Sequence, residues 1–436
     1  MPLPIIAEGF AKGLSAIPYA YTVLKFAPWL LLIYALKMYF GGKSNRSERV
    51  MHSKVVMITG GTSGVGAIVA RELAQRGAQI VLLTQHELTD FFLVEFIMQM
   101  RADTNNELIT AEQVDLASLH SIRKFATKWI DNAPPRRLDM IVLCGNTMTP
   151  ASGKATTTED GLESNWGINY IANFHLLSIL SPALRVQPPD RDVRIIFGSC
   201  SSYMGGSLAH VPVPETPKEG AKASKKSKTA AVARPISKGP AFSPSIAYAT
   251  SKFALITFAN AFQKHLDAYQ RPDKAPMNAR VINVDPGWTR TPGMRRYLTV
   301  GSLWGLLAYV VMWPFWWLVL KSPDQGAQSF LFAAMEAEIR QGEGGKLVKE
   351  CRLVPIMRSE VTDENLQQAL WQETEKTIEA LETEGAIRRA GKKEERQPMG
   401  TVTEELDAEK AAEETQRDVR RPGSRKSKKA AASTVK

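Results

Sequence analysis

Cysteine is scarce in this chain. Only Cys144, Cys200 and Cys351 occur among 436 residues, too few and too scattered for a disulfide framework, and they fit a reducing compartment. No Cys-x-x-Cys pair is present, and the six histidines show no metal-ligand spacing, so a metal site has no support. No internal repeat is evident. Apolar stretches long enough to concern a membrane occur at only two places, residues 21–40 and 298–320.

What is present begins with glycine. The run Lys54-Val55-Val56-Met57-Ile58 opens into Thr59-Gly60-Gly61-Thr62-Ser63-Gly64-Val65-Gly66. A short β-branched strand ending in glycines is how an α/β protein places a dinucleotide pyrophosphate. Gly60, Gly64 and Gly66 carry no Cβ to block close backbone approach, and the helix beginning near Val65 aims unpaired N–H groups at the anion. Ile68 to Arg76 reads as a helix ending at Gly77, and Gln79 to Leu83 as a second buried strand. Further apolar runs at Leu138–Leu143, Val193–Phe197 and Arg280–Val284 alternate with helix-length amphipathic stretches. This alternation predicts βαβ units and an α/β, Rossmann-like doubly wound parallel sheet covered on both faces.

The most chemical feature is Tyr248-Ala249-Thr250-Ser251-Lys252. In a helix, i and i+4 share a face, so phenol and ammonium point into one space. A neighbouring cation favours phenolate and is expected to lower the tyrosine pKa toward working pH. A general acid/base for an alcohol/carbonyl pair requires that. Tyr-x-x-x-Lys is common by chance. After a glycine-rich βα turn, and before Val281-Ile282-Asn283-Val284-Asp285-Pro286-Gly287, it gains weight.

Together these motifs resemble the short-chain dehydrogenase/reductase family, in the membrane-bound retinol-dehydrogenase-like branch and particularly its fungal members of lipid droplets or vacuoles. The likeness spans roughly residues 54–380. It implies cofactor contacts from Gly60, Thr62, Ser63, Gly64, Val65 and Gly66. The Val114-Asp115-Leu116 segment would place Asp115 at the adenine ring, with Leu116 beside it. It also implies that Asn169 holds a proton-relay water, that Tyr248 and Lys252 form the catalytic pair, and that Lys252 also binds the nicotinamide ribose. Pro286, Gly287, Thr289 and Thr291 belong to the stretch that closes over the nicotinamide.

Two departures stand out. The family usually has Asn-Asn-Ala-Gly where this chain has Leu143-Cys144-Gly145-Asn146; Cys144 and Gly145 still permit close approach to the cofactor. An ungapped count also puts Cys200 where the family has its substrate-binding serine. A thiol is a poor donor, so the expectation is that Ser199 or Ser201, ranked equally, takes that role. Thr84-Gln85-His86 offers neither the carboxylate of an NAD enzyme nor the arginine of many NADP enzymes. The missing negative charge leans the reading to NADP, with NAD open.

Tyr21 to Phe40 is apolar apart from Lys25, Pro28 and Lys37 and precedes Lys43, Arg46 and Arg49, which reads as a marginal span or interfacial anchor with the following domain cytosolic. Leu298 to Leu320 carries no charge. A single crossing there would separate Val281–Val284 from a last strand near Lys346-Leu347-Val348, so the segment reads as a hairpin bent near Pro314 and lying in the interface.

The resulting organisation is an anchor at 1–50, the dehydrogenase domain at 51–384 and a charged tail at 385–436. The domain carries a Pro/Ala/Ser/Lys-rich insertion at 207–245 and the hairpin at 298–320. Insertion and tail read as disordered and hold most of the +11 net charge. Basic clusters can meet nucleic acid or anionic lipid; beside an anchor lipid is favoured, nucleic acid is not expected, and a merely solvated tail is favoured over both.

The sequence thus points to a membrane-associated NAD(P)-dependent oxidoreductase interconverting an alcohol and a carbonyl on a lipophilic substrate such as a retinoid, sterol or fatty aldehyde. Its place would be the endoplasmic reticulum, lipid droplets or the vacuole membrane, with a homodimer open. The alternative is a catalytically silent Rossmann scaffold on the same membranes.

Overall fold

Val55–Thr59 is buried at every residue and forms β1, around which the sheet is built. The structure, a computed structural model, describes residues 19–134, 136–209 and 242–396. Beside β1 lie β2 (Gln79–Thr84), β3 (Ile109–Gln113), β4 (Met140–Leu143), β5 (Val193–Gly198), β6 (Ala279–Asp285), β7 (Lys346–Lys349) and β8 (Arg352–Val354). Their order is β3-β2-β1-β4-β5-β6-β7-β8. All pairings are parallel except the terminal β7–β8 hairpin. The order reverses between β1 and β4, so the crevice at their carboxyl ends is the topological switch point where α/β sheets bind ligands.

Helices cover both faces. On one side pack α2 (Gly64–Gln75), α3 (Phe91–Thr104) and, later in the chain, the helix Pro323–Met335, through Val69, Leu73, Met100, Phe330 and Leu331. On the other side lie α4 (Leu119–Ile130), α5 (Ala172–Arg185) and α6 (Pro244–Asp267). There Phe125, Trp129, Phe174, Phe253, Phe258 and Phe262 form an aromatic-rich core. Strands buried on both faces read as near-continuous apolar runs, which is why β1, β2, β4, β5 and β6 were visible in the sequence.

The segment after β6 is α7 (Pro292–Leu298), α8 (Leu303–Val311) and α9 (Trp313–Val319), followed by α10 (Pro323–Met335) with a Ser322/Gln325 capping box. Residues 303–319 are thus two short helices, with Pro314 in the first turn of the second. Because β6 and β7 pair directly, both flanks of this segment belong to one sheet. The N-terminal helix α1 (Ala20–Gly41) is long and apolar enough to cross a membrane by length and composition, and none of its apolar window is buried.

Two boundaries shift. Residues 210–241 of the insertion lie outside the described residues, and α6 already begins at Pro244, inside the expected 207–245. The last helix, α11 (Glu364–Arg396), runs eleven residues past Gly385. Glu, Lys, Arg and Ala are good helix formers even without an apolar stripe, so the tail's first part is helical, contrary to the expected disorder from 385; residues 397–436 lie outside the described ones. Met1–Glu382 is one compact unit carrying the sheet, and Thr383–Lys436 a second, of which the end of α11 is described.

Candidate active site

The carboxyl ends of β1, β2, β4, β5 and β6 open on a cavity of about 820 Å³. Its floor is the glycine loop. Gly60 sits at φ +65° and Gly64 at φ +57°, left-handed backbone where a side chain is strained. A Cβ on Gly60 would stand 2.8 Å from the Gly145 backbone, and one on Gly66 2.3 Å from the Gly60 carbonyl. The loops after β1 and β4 are stitched where the Gly145 N–H donates to Thr59 Oγ1 (3.0 Å). Ser63, the residue before α2, makes no side-chain cap, so the first-turn N–H groups are left for a ligand. Gly60, Thr62, Ser63, Gly64, Val65 and Gly66 all line the cavity. A backbone cradle that a single Cβ would fill fits a dinucleotide pyrophosphate.

At one end are Thr84, Gln85, His86, Asp115 and Leu116. Asp115 is held by its own turn, its Oδ1 accepting from the Ala117 N–H (2.8 Å). Sequence reasoning missed Asp90, which also lines this end. Its carboxylate accepts from the Phe92 N–H (2.9 Å) and stands 3.4 Å from His86 Nδ1. Asp followed by an apolar pair is a helix N-cap signal, and it was there to be read.

At the other end Tyr248 faces the cavity, 9% exposed. The Cys200 thiol donates to its Oη at 3.7 Å, and Asn146 also hydrogen-bonds it. Burial, Cys200 and Asp285 push the phenol well above its ordinary value, while Asn146 acts the other way. The expectation that Lys252 lowers this pKa is therefore corrected. The Lys252 ammonium donates instead to the Gly198 carbonyl (2.8 Å) and stands 5.7 Å from the centre of the Tyr248 ring. Burial lowers its own pKa from the usual lysine range. The surroundings of Tyr248 thus favour its protonated form.

The two serine candidates separate. Ser201 is turned away from the cavity wall: its Oγ donates to Asp285 Oδ2 and accepts from Lys349 Nζ (2.9 Å). Ser199 lines the cavity with a buried Oγ that has no hydrogen-bond partner among the described residues, while its N–H is fixed on the Val284 carbonyl (2.8 Å). Side chains alternate along an extended chain, so it is Cys200, the ungapped counterpart of the family serine, that reaches Tyr248. Asn169 sits in a π turn (Gly167–Ile171) leading into α5. Its side chain clamps the β4 loop, accepting from the Thr147 N–H (2.7 Å) and donating to the Thr147 carbonyl (2.9 Å). It also donates to Ser251 Oγ (3.1 Å) on α6, and its own carbonyl accepts from Asn173 Nδ2 (2.8 Å).

The roof comes from Pro286, Gly287, Thr289 and Thr291, with Cys144 and Gly145 opposite. Gly287 (φ +75°) turns the chain, its N–H on Asp285 Oδ1 (2.9 Å). Burial pushes the Cys144 thiol up to about 12, so it is an inert wall. Every expected cofactor contact except Lys252 lines the cavity, and Lys252 lies behind Tyr248. Among the described residues, no cluster of His, Cys, Asp or Glu could hold a metal ion.

The pattern of the short chain dehydrogenase family matches residues 54–211. An uncharacterized oxidoreductase of Schizosaccharomyces pombe, pbr1, is 38% identical over 395 residues, covering 88% of this chain and 96% of that protein. The chain belongs to the short-chain dehydrogenase/reductase family. Within it, polyprenol dehydrogenase of Mus musculus is 30% identical over 323 residues, covering 73% of this chain and 82% of that protein. Human retinol dehydrogenase 13 is 28% identical over 345 residues, covering 79% and 90% respectively. The chain sits in the retinol-dehydrogenase-like branch and is an NAD(P)-dependent oxidoreductase, as its sequence implied.

Proposed function

We propose that this protein interconverts a lipophilic alcohol and its carbonyl at a membrane surface, using NADP in preference to NAD. The observation that carries the reading is the Tyr248 phenol facing a glycine-floored cavity with the Cys200 thiol at its Oη. The glycine loop and the α2 N-terminus would hold the pyrophosphate, Asp115 and Leu116 the adenine, and Thr289 and Thr291 the nicotinamide end. Bound there, NADPH would supply the hydride that reduces the carbonyl carbon.

The chain's own residues handle the proton. Tyr248 Oη donates to the substrate oxygen, and the Cys200 thiol beside it points a second, weaker donor at the same place. Lys252, whose ammonium is held by the Gly198 carbonyl, ties α6 to the end of β5 and so positions Tyr248. Asn169 acts as a positioning residue, locking the β4 loop to α6. In the alcohol-oxidising direction the same proton travels back to Tyr248.

The lipophilic substrate class rests on the cavity wall. Trp288, Pro292, Met294 and Arg296 lead from the cavity into α7, and the chain continues directly into α8 and α9. There Leu303, Trp304, Leu307, Val311 and Trp313 are exposed, an apolar patch of the kind that marks a membrane or partner surface. The names of the polyprenol and retinol dehydrogenases among its relatives agree with that class. NADP is favoured because β2 ends without a carboxylate and Asp90 is engaged by the Phe92 N–H and His86. Titrating the purified protein with NADPH and with NADH tests this: tighter NADPH binding is expected. Tighter NADH binding would reverse the cofactor assignment, and binding of neither would favour the scaffold reading.

A further inference from the structure

Trp313 and Trp317 stand four residues apart on α9 and so share one face of that helix. Two cations from distant parts of the chain meet that face. Lys37, on α1, donates to the Trp317 carbonyl (2.5 Å) and lies 4.8 Å from the centre of its indole ring. Arg290, from the loop between β6 and α7, stands 5.7 Å from the Trp313 ring. Among the described residues neither cation has a carboxylate at salt-bridge distance. The Arg290 Nη1 is buried without any hydrogen-bond partner.

This arrangement is costly as it stands. Two like charges meet one helix face, and a guanidinium N–H is buried with no partner among the described residues. The backbone leaves Arg290 little choice, since its N–H donates to the Lys321 carbonyl (2.8 Å) beside the Thr289–Lys321 bridge. Arg290 does not line the cofactor cavity, whereas its neighbours Thr289 and Thr291 do, so it serves a different space. An anion between the two cations would remove both penalties. Around it stand the half-exposed Trp313 and Trp317, the exposed apolar face of α8, and α1, whose length and composition suit a membrane. Tryptophan with lysine and arginine at such a boundary is the chemistry of the headgroup layer.

We propose that Lys37 and Arg290 form a binding site for the phosphate of a glycerophospholipid, seating the α9 hairpin against α1 at the level of the headgroups. Arg290 would give the phosphate its free Nη1–H, Lys37 would give its ammonium, and the two indoles would wall the site from water. The proposal rests on the membrane reading above.

The test uses the full chain in maltoside micelles, titrated with dihexanoyl phosphatidic acid and with phosphate-free dihexanoylglycerol. Tryptophan emission and native mass spectrometry of the retained lipid are the readouts. Saturable phosphatidic acid binding at least tenfold tighter than dihexanoylglycerol is expected. Arg290→Gln and Lys37→Gln should each weaken it about tenfold, the effect of one charge-assisted hydrogen bond, while Arg290→Lys keeps most of it. NADPH binding checks that each variant is folded, and the wild-type lipid comparison stands without any variant. Equal affinity for dihexanoylglycerol, or full phosphatidic acid affinity in both glutamine variants, overturns the site. Inorganic phosphate competing at the same concentration as the lipid would assign it to a soluble anion and overturn the lipid source. Failure of the full chain to float with phosphatidylcholine vesicles would instead remove the membrane reading, while the micelle comparison still decides the site.

Discussion

Replacing Cys200 probes the least typical part of this active site. Its thiol donates to Tyr248 Oη at 3.7 Å, where the family places a serine. Removing a strong donor from an oxyanion site lowers kcat by roughly 10²–10³. A thiol is a weak donor, so Cys200→Ala should cost only about tenfold, a fraction of that. Cys200→Ser restores a hydroxyl and should raise reductive kcat by about tenfold, since it recovers much of the donor strength that the thiol forgoes. Steady-state reduction of a lipophilic aldehyde, with NADPH followed at 340 nm, measures both effects. Wild-type turnover in Cys200→Ala, together with a loss of about 10² in Ser199→Ala, would refute the assignment and give the role to Ser199.

Gly66→Ala should lower NADPH affinity tenfold or more and stability by about 1–3 kcal/mol, because its Cβ would sit 2.3 Å from a backbone oxygen that cannot swing aside; isothermal titration and thermal unfolding check both. Spectrophotometric titration of the cofactor-free protein at 295 nm, wild type minus Tyr248→Phe, should show no Tyr248 ionisation below pH 10. The phenol is raised above its ordinary value, so its proton is retained through the range where a free tyrosine begins to lose it. A difference transition near neutral pH would contradict that environment.

Most of the fold was legible because a doubly wound sheet writes itself as apolar runs between amphipathic stretches. The exceptions lie at the edges. Ile109–Gln113, the edge strand β3, is fully buried only at Ile109 and carries Thr, Glu and Gln, so no apolar run announces it. Arg352–Val354, which closes the other edge antiparallel, is three residues long with two of them exposed. The cofactor end of the site was legible for a similar reason, since glycine positions are set by backbone approach and cannot drift. The substrate end was harder. Whether Ser199, Cys200 or Ser201 faces Tyr248 depends on a one-residue phase at the end of β5, and only the pairing of Ser199 N–H with Val284 settles that phase. The tyrosine pKa was misjudged because sequence spacing shows Lys252 near Tyr248 but not that its ammonium is spent on the Gly198 carbonyl, nor that both groups are buried.

The central claim is that Tyr248 is the proton donor of an NAD(P)-linked carbonyl reduction. Tyr248→Phe removes one oxygen atom and leaves the ring, α6 and the glycine cradle in place. Measured side by side with wild type, the variant should bind NADPH with unchanged affinity while aldehyde-dependent NADPH oxidation falls by about 10²–10⁴, the contribution of a positioned acid. Aldehyde reduction by Tyr248→Phe at the wild-type rate would contradict the account.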